Sequence, residues 1–231
     1  MMKSSELVNK AKEIATKFKT LYVMGCFGAP MTPSNKKRYT ANHKYNKQLV
    51  RTQMINNATS DTFGFDCVNL IKGILWGWKG DKSKTYGGAS YCYNDVPDIG
   101  ADTMITYCKD VSTDFSDIVP GEFVWMKGHC GIYIGDKQVI ESTPKWDNCV
   151  QISNVANLGN TAGKSRKWTK HGKLPWVDYS EVTVNSDVPS DYAKESWEKL
   201  KAAGATDGSN PKGNATREQI AVMLDRLGLI K

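Results

Sequence analysis

The sequence predicts an α+β fold, an antiparallel sheet with helices packed on it, followed by a small helical module. Three observations point there. Helix-period apolar stripes occur near the amino terminus and again behind Cys67. Three β-rich runs separated by turn residues lie between positions 122 and 143, and the composition changes near residue 178. A chain of 231 residues is long enough to bury a core without disulfides.

Taking the elements in order, Leu7, Val8, Ala11, Ile14, Ala15 and Phe18 share one stripe of a helix over residues 4–18. The segment Phe27–Tyr45 is rich in Gly, Pro, Lys and Asn and is a candidate to line the cleft. From Cys67 onward, Val68, Ile71, Ile74 and Leu75 recur at helical spacing with no Pro before position 97, so Cys67 opens a helix and Asp66 is placed as its cap. Glu122–Lys127 and His129–Ile134 form a hairpin across Gly128. Gly135-Asp136-Lys137 then turns the chain into a third antiparallel strand, Gln138–Thr143. Strand alternation puts His129, Gly131 and Tyr133 on one face and Cys130, Ile132 and Ile134 on the other.

Those positions suggest a chemistry. A thiol at a helix start meets free N–H groups and the positive end of the helix dipole, which favour the reactive thiolate. His129 is the expected base; His43 and His171 lie in polar, turn-rich stretches and are expected to be solvated. Glu141, on the neighbouring strand, would orient the imidazole, completing a Cys67–His129–Glu141 triad.

The motifs Asp66-Cys67-Val68-Asn69-Leu70-Ile71, Gly128-His129-Cys130-Gly131-Ile132-Tyr133-Ile134-Gly135 and Val139-Ile140-Glu141-Ser142-Thr143 resemble those of the NlpC-type cell-wall peptidases, a papain-like superfamily. Leu21-Tyr22-Val23-Met24-Gly25 is similar to the stretch upstream of that family's cysteine. The resemblance spans roughly residues 10–178. It implies a papain-like (NlpC-type) fold and a tyrosine hydroxyl, Tyr22, that helps hold the oxyanion. Val68-Asn69 replaces the family's usual Ser-Gly, Cys130 replaces a valine, and Glu141 stands where many members have histidine; related CHAP-type enzymes use glutamate there. The implied activity is peptidoglycan hydrolysis, first as an endopeptidase of the stem peptide. The alternatives are an N-acetylmuramoyl-L-alanine amidase, a thiol acyltransferase and a non-catalytic wall-binding protein.

Cysteine and charge usage narrow the partners. Cys92, Cys108, Cys130 and Cys149 are 16, 22 and 19 residues apart, and no Cys-x-x-Cys or ligand-spaced Cys/His pair occurs, so no metal site is expected; the implied chemistry requires no organic cofactor. The chain has 31 basic and 24 acidic residues; residues 181–231 hold 7 and 8, leaving 24 and 16, or +8, for residues 1–180. That field suits anionic wall polymers and peptidoglycan. No nucleic-acid motif accompanies it, so no nucleic-acid partner is expected. There is no apolar run of signal-peptide length and no 18-residue apolar segment. The expectation is synthesis in a host cytoplasm without a signal peptide and without membrane insertion, followed by action on the wall after release, as in a phage or prophage endolysin.

The predicted organisation is a hydrolase domain over 1–178, a linker over 179–189, and a helical module over 190–231. In the module, Trp197, Leu200 and Ala203 share a stripe that Gly204 ends, and Asp207–Gly213 is turn-rich. Thr216-Arg217-Glu218-Gln219 forms a capping box for a second helix with Ile220, Met223, Leu224 and Leu227 on its apolar side. This part resembles a portion of a surface-layer-homology repeat, which implies binding of secondary wall polymers. So small a unit needs cover, from a second copy in a homodimer or from the catalytic domain.

Overall fold

The β-rich runs after Glu122 become the centre of a seven-stranded sheet, and the two apolar helical stripes pack on one of its faces. The computed structural model describes residues 1–180, 189, 192–208, 211 and 215–230. The chain divides into two compact units, Met1–Val182 and Thr183–Lys231. The expected linker is described only at Tyr179, Ser180 and Pro189; residues 181–188 lie outside the described residues.

The first unit is mixed α+β. In chain order it contains β1 (Met2–Lys3), α1 (Ser4–Lys17), β2 (Thr20–Tyr22), β3 (Phe27–Pro30), α2 (Pro33–Asn42), α3 (Leu49–Asn57), β4 (Phe63–Phe65) and α4 (Cys67–Leu75). There follow α5 (Ala101–Tyr107), β5 (Lys109–Ser112), β6 (Phe123–Met126), β7 (His129–Gly135), β8 (Gln138–Thr143), β9 (Cys149–Val155), β10 (Ser165–Arg166), β11 (Lys170–Lys173) and β12 (Val177–Asp178). The large sheet runs in the order β10-β9-β8-β7-β6-β11-β5, antiparallel except for the β10–β9 pair. A small sheet, β2-β4-β3, carries the chain into α4, and β1 pairs with β12.

Local chemistry explains the elements that matter most. Every residue of α4 is buried, as expected for a helix that is apolar nearly all round. Leu70, Ile71 and Ile74 each contribute roughly 1.5–3 kcal/mol by leaving water. They meet Leu7, Val8, Ala11 and Ile14 of α1 and Phe123, Ile132 and Ile140 of the sheet in one core. The opposite face of the sheet packs Val124, Tyr133, Val139 and Val155 against Phe115 and Trp168. The alternation expected along β7 is therefore present, with Ile132 and Ile134 in one cluster and Tyr133 in the other. Asp136 and Lys137 both have positive φ, 51° and 58°, as a two-residue turn with the twist of its strands requires.

One expectation is corrected. His171 is 2 % exposed, not solvated. Its Nδ1 pairs with buried Glu122 and its Nε2 bonds to the Asp114 carbonyl oxygen, 2.6 Å away. Burial opposes the imidazolium, but the bonds to Glu122 and Asp114 outweigh it and raise the His171 pKa. A raised folded-state pKa gives stability that is fully present below the unfolded value, about 6.5, and lost as pH rises through the folded value. Urea unfolding of His171→Leu should show a loss of roughly 1.5–3 kcal/mol below pH 6, shrinking as the pH is raised. A deficit that is constant with pH would rule out the charged pair.

The second unit contains α6 (Lys194–Ala202) and α7 (Arg217–Arg226). The expected capping box is present: Thr216 Oγ1 accepts from Gln219 N at 3.1 Å, and Gln219 Oε1 accepts from Thr216 N at 2.8 Å. Gly204, at φ 69°, follows the end of α6. The predicted stripe forms on α7, but Ile220, Leu224 and Leu227 are exposed rather than packed. The turn-rich stretch Asp207–Gly213 is described only in part, since residues 209–210 and 212–213 lie outside the described residues.

Candidate active site

Cys67 is the first residue of α4, and its position is fixed from both sides. Asp66 caps the helix, its Oδ1 accepting from Asn69 N at 2.8 Å. Its Oδ2 accepts from Asn69 Nδ2 and from Gly25 N, each at 2.7 Å, which ties the loop after Tyr22 to the helix start. Burial, and then the neighbouring Cys67, push the Asp66 pKa up to about 7. Ser142 Oγ donates to the Phe65 carbonyl at 2.8 Å, joining the strand that carries Glu141 to the strand that leads into Cys67.

His129 opens β7 directly after Gly128. That glycine has φ 74° and open space where a Cβ would sit, so the turn's backbone conformation favours glycine there, not crowding. The His129 Nε2 lies 2.6 Å from Glu141 Oε2, and its ring stacks on Trp168 with centroids 5.6 Å apart and planes 12° from parallel. With Nε2 held by the carboxylate, Nδ1 is left for Cys67, with which His129 interacts. The structure thus brings Cys67, His129 and Glu141 together.

Glu141 is 0 % exposed and is surrounded by donors. Arg166 grips it with Nη2 at 2.8 Å from Oε2 and Nε at 3.2 Å from Oε1, and Ser153 Oγ donates to Oε1. The Arg166 guanidinium lies over the rings of Trp146 and Trp168, at 5.0 and 5.6 Å from their centroids. Sequence reasoning did not single out Ser153, Arg166 or Trp168. Ser153 faces Val139 across the β8–β9 ladder, two positions from the pair Glu141–Gln151, so strand pairing past Glu141 was the signal that could have found it.

The electrostatics favour an ion pair. The Cys67 pKa is held well below the usual thiol value, first by hydrogen bonding from Cys130, against the cost of burial, and then by His129. Burial opposes the imidazolium of His129, yet its bonds to Cys67 and Glu141 raise its pKa to about 8. Burial likewise works against the Glu141 carboxylate, but His129 and Arg166 hold its pKa below the ordinary value. A thiolate beside an imidazolium is the state these groups stabilise together, up to a pH of about 8.

Cys67 lies at 7 % exposure in the wall of a cleft of about 420 Å³ that Tyr22, His43, Asn69, Lys72, Asp98 and Asp102 also line. Tyr22 is buried, its ring 5.9 Å from that of Tyr45, and its hydroxyl meets Met24 Sδ at 3.9 Å. Burial, and then the negative Cys67 and Asp66, push its pKa far up, so the hydroxyl keeps its proton. Exposed His43 lines the cleft at its rim, whereas Trp76 and Trp78 are core residues. Lys72 pairs with Asp98, and Asp102 accepts from Gly128 N at 2.7 Å and Trp125 Nε1 at 2.9 Å. Among the described residues no group of three or more His, Cys, Asp or Glu side chains is placed to hold a metal ion. No described helix is long and apolar enough to cross a membrane. No protein-family model matches the chain, and a search of curated proteins returns no match.

Proposed function

We propose that this chain is a papain-like cysteine hydrolase of the NlpC type that cleaves an amide bond of the peptidoglycan stem, acting as an endolysin. One observation carries the reading. A thiol at a buried helix start lines an open cleft, and the histidine that interacts with it is locked to a fully buried, arginine-clamped carboxylate. A structural ion pair would not need the thiol in the cleft wall.

The chemistry follows from the placement. The Cys67 thiolate attacks the amide carbonyl, and the oxyanion takes hydrogen bonds from the Cys67 backbone N–H and the Tyr22 hydroxyl. The His129 imidazolium gives its proton to the leaving amine, and Glu141 and Arg166 keep the ring oriented as its charge changes. Water, activated by the now neutral His129, then releases the thioester. The basic excess of residues 1–180 supports attraction to anionic wall polymers, and the second unit, resembling part of a surface-layer-homology repeat, serves as the wall-binding module.

Incubation with Gram-positive cell walls, with mass spectrometry of the released fragments, tests this. New amino and carboxyl ends in the stem peptide, absent with Cys67→Ala, are expected and would identify the bond. Intact walls with bound protein would replace the hydrolase reading with a binding one. Tyr22→Phe removes one oxyanion donor while keeping the ring, so kcat should fall by roughly 10²–10³-fold, the range for loss of such a donor. Steady-state assays would show an unchanged kcat if the hydroxyl only filled space.

A further inference from the structure

The second residue of β7 adds a thiol that makes and breaks no bond in the hydrolysis proposed above. Cys130 is 0 % exposed and belongs to the core cluster that also holds Cys67. Both cysteines are free. Although His129 and Cys130 leave β7 on opposite faces, Cys67 opens α4, which packs on that strand, and it shares a core cluster with Cys130; the electrostatics of Cys67 respond to both neighbours. Cys67 reaches the cleft, and Cys130 lies behind it with no surface of its own.

We propose that Cys67 and Cys130 are a modification site, forming a reversible disulfide with a small-molecule disulfide such as oxidised glutathione as co-reactant, and that this bond switches the site off. The shutdown of activity rests on Cys67 being the nucleophile; the disulfide itself does not. In the first step the Cys67 thiolate attacks one sulfur of oxidised glutathione. A Cys67–glutathione bond forms, the glutathione disulfide breaks, and one glutathione leaves as thiolate. In the second step Cys130 gives its proton to that thiolate and attacks Cys67 Sγ. The Cys67–Cys130 bond forms and the second glutathione leaves as thiolate. Two protein thiol groups are oxidised and one glutathione disulfide is reduced, so the electrons balance.

The arrangement favours this order of events. The reagent meets Cys67 first because only Cys67 opens to the cleft. Burial, and then the Cys67 thiolate, push the Cys130 pKa up. Once the mixed disulfide has neutralised Cys67, that repulsion is gone and Cys130 ionises more readily next to the sulfur it must attack.

The test treats the full chain with oxidised glutathione, quenches by alkylation, and maps the digested peptides by mass. The expected product is the Cys67 peptide joined to the Cys130 peptide, with loss of wall cleavage and of Cys67 alkylation, all restored by dithiothreitol. In Cys130→Val and Cys130→Ser the reaction should stop at glutathione on Cys67. Exposed Cys92 reports that the reagent was active. A wild-type product that stays as the Cys67–glutathione adduct, with Cys130 alkylated only after denaturation, would overturn the proposal. So would an unmodified Cys67 beside a modified Cys92. A linked peptide from protein that never cleaves walls would uphold the disulfide and overturn only the hydrolase reading.

Discussion

His129→Ala should lower kcat for wall-amide cleavage by on the order of 10⁶-fold, about as much as removing the nucleophile itself, because the two groups act as a unit. The variant loses the acid that protonates the leaving amine and, at once, the partner that favours the Cys67 thiolate. Trp168, on which the ring stacks, loses only a packing neighbour, so unfolding should change far less than rate. Initial rates of amino-group release, measured beside the urea midpoint, separate the two. A loss of activity that follows a loss of folding would remove His129 from the chemistry.

Glu141 carries the second large effect, and there rate and stability should separate by substitution. Glu141→Gln keeps shape and volume but removes the charge that orients imidazolium, and kcat should fall roughly 10⁴-fold, as when a triad carboxylate becomes an amide. Glu141→Ala goes further. It strands the Arg166 guanidinium, which is only 14 % exposed and was paired to this carboxylate. Breaking a buried pair by removing one member costs roughly 3–5 kcal/mol, which a urea titration would resolve. Adding Arg166→Ala to Glu141→Ala should recover part of that loss without restoring any rate. An equal loss of rate and no loss of stability in both single variants would mean that Arg166 finds another partner.

These two residues also mark how far the sequence could be read. Cys67, His129 and Glu141 were legible because each sits at a position that local rules fix: the first turn of an apolar helix with an Asp cap, the residue after a turn glycine, and a place on the next strand facing the same side. The Arg166 clamp was not. It depends on a parallel pairing of β10 with β9, Arg166 opposite Val155, that follows a nine-residue excursion (156–164) without a periodic signal. His171 was misjudged for a related reason. Four residues of β11, with a lysine at each end, are too short to display a period, and the burial of His171 comes from β5 and β6 flanking the strand and from Phe115 and Asp114 packed on the ring. Alternation assigned Cys130 to the face with Ile132, which is correct. That Cys130 also reaches Cys67 depends on where α4 begins relative to β7, a tertiary distance that neither element's pattern contains.

The folded arrangement of the second unit contrasts with that legibility. Its capping box was read correctly from four residues, yet Ile220, Leu224 and Leu227 of the apolar stripe are exposed. Helix caps are local and follow from sequence; the burial of a stripe requires a partner surface, which periodicity does not name.

The activation of Cys67 by His129 and Cys130 is the central claim, and the pH dependence of Cys67 alkylation tests it most directly. Iodoacetamide labelling of the native chain, followed at the Cys67 peptide by mass spectrometry, should level off well below pH 9, since its neighbours hold the thiol below that value. In His129→Ala the plateau should move to higher pH. A rate at Cys67 that climbs through the range of an ordinary thiol, about 8.5, and is indifferent to His129, would contradict the account.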